Sequence, residues 1–109
     1  MVNIKRANIK SAILREYFGI NLETIIERNE KIETREENGE KIMINCEKNI
    51  YIMMNEVAVS IWEILKKPYS VNKIVESLQQ EYNVDKKTCE ETVVDFLEQL
   101  ARFRCITIS

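Results

Sequence analysis

The 109-residue sequence contains no histidine, only two glycines and a single proline. Without histidine it lacks the side chain that most often serves as general base near neutral pH and as metal ligand. Gly19 and Gly39 stand too far apart to build a phosphate-cradling loop. Cys46, Cys89 and Cys105 form no CxxC pair and have no histidine to complete a zinc set. An odd number of thiols without a secretory signal reads as small buried hydrophobes in a reducing compartment, the cytoplasm. No apolar run approaches the roughly 18 residues of a membrane span, and residues 1–6 lead into no signal-peptide core. Sixteen basic against eighteen acidic residues give a net charge of −2, so the chain as a whole is no polyanion binder.

What is present is the composition of one ordered domain, 45% hydrophobic and 31% charged. Residues 1–30 read as an N-terminal extension. Ile9, Ala12, Ile13 and Tyr17 recur at helical spacing before Gly19, which fits a helix over 8–18 rich in Lys5, Arg6, Lys10 and Arg15. Residues 21–28 fit helix and strand equally well. The period then changes to two. A strand over 32–37 reaches Asn38-Gly39, the dipeptide that supplies positive φ at both centres of a tight hairpin turn. The return strand over 41–46 places Ile42, Ile44 and Cys46 on one face, and a third strand runs over 50–54.

Three helices follow. Asn55 is placed to cap 56–66, Ser70 to cap 71–82 and Asp85 to cap 86–103. Pro68 ends the first, and residues 104–109 form an extended tail. Three strands followed by three helices predict an α+β domain over 31–109, with helices on one face of a small antiparallel sheet, in the manner of a winged helix-turn-helix.

Few chemistries suit such a chain. Glu36-Glu37 and Glu90-Glu91 are adjacent carboxylates that diverge on a strand or helix, so neither pair converges on one substrate atom. The sequence therefore reads as non-catalytic, with no cofactor and no metal. Over 85–101 the third helix carries five acids against Lys86 and Lys87, which repels the phosphates a recognition helix must approach. Protein or peptide recognition remains. A three-stranded sheet has two edges; 32–37 guards its own with Glu33, Arg35, Glu36 and Glu37, whereas Ile50-Tyr-Ile-Met-Met54 carries no charge. Burial explains that strand as well as a peptide-accepting edge beside Tyr51 and Met53 does.

The segment Ile50-Tyr-Ile-Met-Met-Asn-Glu-Val-Ala-Val-Ser-Ile-Trp62 resembles the signature of the PqqD-like proteins, the precursor-recognition elements of ribosomally made, post-translationally modified peptides. The likeness continues through Tyr69–Val75, Leu78, Glu81-Tyr82, Val84, Val93, Asp95-Phe-Leu97 and Leu100, and covers about residues 31–106. Met54 replaces the usual Leu, Lys67-Pro68 a common Gly, and no Gly stands at Phe103-Arg104-Cys105.

The resemblance implies that an extended leader segment adds antiparallel to Ile50, Tyr51, Ile52, Met53 and Met54. It would lie against a helix wall of Glu90, Val93, Val94, Leu97 and Ala101, with Arg104 pairing an acidic leader residue. It further implies delivery to a separate modification enzyme, a radical SAM enzyme or a leader protease. Homodimerisation through residues 1–30 is left open. The alternatives are an acidic winged-helix interaction module and, behind it, a DNA-binding regulator.

Overall fold

The computed structural model describes residues 18–109. The expected helix over 8–18 lies outside them, apart from Phe18. Among the described residues six strands and three helices follow in the order β1 (Ile25–Arg28), β2 (Glu33–Glu37), β3 (Glu40–Asn45), β4 (Ile50–Met54), α1 (Glu56–Ile64), β5 (Tyr69–Ser70), α2 (Val71–Glu81), α3 (Lys86–Arg102) and β6 (Ile106–Ile108). The class is α+β, with two small antiparallel sheets where the sequence predicts one.

The meander β2–β3–β4 forms at the expected positions. Asn38 and Gly39 both take positive φ, 53° and 79°, which closes β2 onto β3 with Glu37 opposite Glu40. The second turn, between Asn45 and Ile50, has Asn49 at φ 55°. Ile42 and Ile44 share a face, as the alternation predicts. Met43 pairs Ile52 and joins the core with Met54, whereas Ile42 and Ile44 pair Met53 and Tyr51 on the opposite face. Met43 stands between Lys41 and Asn45 on its face, and Ile44 on the other is buried as well, so the period of two does not say which face meets the core.

The second sheet is the main addition. Its order is β5–β1–β6, so β1 is the central strand, and Ile26 is fully buried in the core. The ambiguous segment 21–28 is therefore a strand over its second half. The fold begins before residue 31, because β1 is held by both β5 and the C-terminal tail. Ile25 exchanges backbone hydrogen bonds with Ser109, and Val71 N–H donates to the Thr24 carbonyl. These partners are distant in sequence, so no local pattern announces the pairing.

All three helix caps act as the sequence indicates. Asn55, Ser70 and Asp85 accept through their side chains from Ala58, Lys73 and Thr88 N–H at 2.8, 3.2 and 3.0 Å. α1 and α2 end slightly sooner than predicted, and α3 ends at Arg102. The apolar stripes converge on one core in which Ile61, Leu65, Ile74, Val75, Val93, Phe96, Leu97 and Leu100 are buried.

Candidate peptide-recognition site

β4 is the terminal strand of its sheet, paired with β3 along one edge. Its alternation is clean: Ile52 and Met54 are buried, while Tyr51 and Met53 are 65% and 37% exposed. An uncharged edge strand that exposes an aromatic and a methionine lacks the usual defences against an added strand. Its backbone groups offer hydrogen bonds along the edge, and Tyr51 and Met53 offer adaptable apolar contact beside it. By contrast β2, the other end of the sheet, is exposed throughout and charged at Glu33, Arg35, Glu36 and Glu37.

β4 is fixed in place by two features. Asn45, buried at the end of β3, donates to the Phe103 carbonyl at 2.8 Å and accepts from Lys48 N–H at 3.3 Å. The first bond ties the hairpin to the end of α3, and the second shapes its turn. At the other end, Asn55 caps α1 directly after β4, so strand and helix meet without a linker. Asn45 was not singled out by the sequence, since an asparagine in an apolar strand carries no signal until its partner is known.

The expected α3 residues separate into three groups. Val93 and Leu97 are fully buried in the core and Ala101 nearly so. Glu90 and Val94 are partly exposed and line a cleft of about 600 Å³ with Asn21, Leu22, Glu91 and Asp95. Ala101 and Arg104 line a second cleft with Phe18, Asn29 and β6. Residues 18–22 and β6, rather than β4, form the facing walls of these two clefts.

Arg104 has a backbone role that the missing glycine anticipates. It stands at φ 60° just after α3, with its N–H donating to the Ala101 carbonyl at 3.1 Å and Cys105 N–H donating to Leu100 at 2.8 Å. These two bonds are a Schellman closure, whose left-handed position usually falls to glycine. The Arg104 carbonyl accepts from Asn29 at 2.8 Å, joining the end of β1 to the end of α3.

Two of the three thiols, Cys89 and Cys105, are buried, while Cys46 is exposed. Burial raises the Cys105 thiol to about 11, and burial, then Glu90 and Asp85, raises Cys89. Among the described residues no group of three or more His, Cys, Asp or Glu is placed to hold a metal ion. No helix among them is long and apolar enough to cross a membrane.

The sequence profile of the family described as coenzyme PQQ synthesis protein D (PqqD) matches residues 40–106, more than half of the chain. No curated protein matches it. Two solved structures share the fold. TbiB1 in complex with the TbiA(beta) leader peptide aligns with a TM-score of 0.66 at 24% identity, over 73% of this chain and 93% of its own. The PqqD truncation of Methylobacterium extorquens PqqCD, described as a stand-alone recognition element for ribosomally synthesised, modified peptides, aligns at 0.64 and 18% identity, over 76% and 88%. The profile match spans the β3–β4 hairpin and all three helices, and on it the chain belongs to the PqqD family.

Proposed function

We propose that this protein binds the leader region of a ribosomally synthesised precursor peptide and presents it to a separate modifying enzyme, itself performing no chemistry. The carrying observation is the uncharged terminal strand β4, with Tyr51 and Met53 exposed, in a chain of the PqqD family. The leader adds antiparallel along Ile50–Met54, its backbone supplying affinity and its alternate side chains specificity. Glu90 and Val94 form the accessible part of the α3 wall; Val93, Leu97 and Ala101 support that wall from the core, and Arg104 stands at its C-terminal end.

A free leader is disordered, and ordering it costs about 2–5 kcal/mol of the gross interaction. The complex is accordingly expected in the micromolar to high-nanomolar range, about −8 to −9 kcal/mol. The free thiols suit a cytoplasmic protein. The family suggests a radical SAM enzyme or a leader protease as recipient.

The test is fluorescence anisotropy of a labelled leader peptide, encoded beside this gene, titrated with the purified protein. Saturable binding at micromolar or lower concentration, lost with a scrambled leader, is the expected result. No binding to any neighbouring short peptide would shift the reading to a general protein-interaction module. A 20-base-pair duplex serves as control, since five acids against two lysines over 85–101 predict no binding at physiological salt.

A further inference from the structure

Among the described residues β4 leaves one edge of its sheet open. Glu37 and Glu40 close a two-residue turn and so form a hydrogen-bonded pair. The alternation along β3 then turns the backbone groups of Lys41, Met43 and Asn45 toward β4, where their partners are Met54, Ile52 and Ile50. Tyr51 and Met53 are left with N–H and C=O aimed at the open edge, and both also expose their side chains. The ends of the strand carry opposite charges. Lys48 precedes it and Glu56 follows it, both exposed, and neither forms an ion pair among the described residues.

We propose that two leader-free copies of this chain pair antiparallel through β4, with Ile52 on the two-fold axis, and so close the edge that a leader would occupy. The competition rests on the function proposed above; the dimer does not. Three features favour a second copy as occupant. The edge carries no charge from Ile50 to Met54, so it meets its own copy without repulsion. In this register Tyr51 of each copy stands opposite Met53 of the other. These are the residues whose backbone groups point outward, so each such pair exchanges both hydrogen bonds, and the Met53 sulfur meets the Tyr51 ring in a favourable contact. The same register carries Lys48 of each copy toward Glu56 of the other, placing opposite charges at both ends of the new pairing. Moving the axis to Tyr51 or to Met53 separates those charges. It also pairs Met53 with Asn49, or Tyr51 with Asn55, residues outside β4.

The experiment uses the full chain, with mass read by sedimentation equilibrium from micromolar to millimolar protein and hydrogen exchange read at single amides by NMR. A monomer–dimer equilibrium is expected. In it the Tyr51 and Met53 amides gain protection with concentration, while that of Ile52, already bonded to β3, does not. Lys48→Glu or Glu56→Lys alone should weaken the dimer about fivefold, since like charges then meet at both ends, and combining the two should restore it. Adding the labelled leader of the anisotropy assay should convert the dimer to a monomeric complex. A monomer at every concentration, or a dimer whose Tyr51 and Met53 amides exchange as freely as in the monomer, would overturn the pairing. A dimer indifferent to both single reversals, or not restored by their combination, would overturn the register. A leader that binds without dissociating the dimer would overturn the competition. If no leader binds, the function proposed above fails, and mass and exchange alone decide the dimer.

Discussion

The side-chain amide of Asn45 donates to the Phe103 carbonyl at 2.8 Å, fastening the hairpin that carries β4 to the C-terminal end of α3. This buried side chain is one of the contacts that relate strand edge to helix wall, beside the Asn55 cap and the core packing of Ile52 and Met54. Replacing Asn45 by Ala leaves a carbonyl without this donor and is expected to cost about 1–3 kcal/mol. Urea denaturation checks this. Leader affinity should weaken in the folded variant too, because the relation between β4 and α3 loosens.

Exposure separates substitutions that look alike in the sequence. Tyr51→Asp and Met53→Asp change side chains on the outer face of β4, Tyr51 largely and Met53 partly in solvent, so both variants should keep the native circular dichroism and lose at least tenfold in leader affinity. Val93→Asp places a carboxylate in the core, where Val93 has no exposed surface, and is expected to unfold the domain. Native spectra for Val93→Asp would contradict the packing of α3.

Arg104 holds a left-handed conformation at φ 60° that costs a side-chain-bearing residue about 1–2 kcal/mol relative to glycine. Arg104→Gly is therefore expected to stabilise the protein by roughly 1 kcal/mol in thermal denaturation. If the guanidinium also pairs an acidic leader residue, the same variant will bind leader more weakly while being more stable.

The thiols should divide by accessibility. Cys46 is exposed, whereas Cys89 and Cys105 are buried with raised thiol pKa values, so an alkylating reagent should modify one cysteine in the native protein and three after unfolding. The same groups make the fold sensitive to alkali. Cys105 releases its proton near the ordinary value of 9 when unfolded and near 11 when folded. Its contribution to stability is complete below pH 9 and is lost as pH rises toward 11. Stability measured across that range in wild type and Cys105→Ala should converge as pH rises.

The sequence alone determined whatever depends on neighbours in the chain. Asn38-Gly39 placed the hairpin, because a tight turn needs positive φ at both centres. Asn55, Ser70 and Asp85 placed three helix starts, because each side chain reaches an N–H three residues on. The uncharged strand 50–54 and the family signature that begins there were legible for the same reason.

Tertiary structure decided what depends on distant partners. It turned Met43 inward rather than Ile42, since packing against Ile52, and not the alternation, decides which face meets the core. It made β1 the centre of a second sheet, although its own residues fit helix or strand equally well, because β5 and the C-terminal strand complete its hydrogen bonds. It gave Asn45 its role through a carbonyl at the far end of α3. Pairing between segments so far apart in the chain leaves no local pattern, and it is this pairing that sets where the edge of β4 and the face of α3 stand.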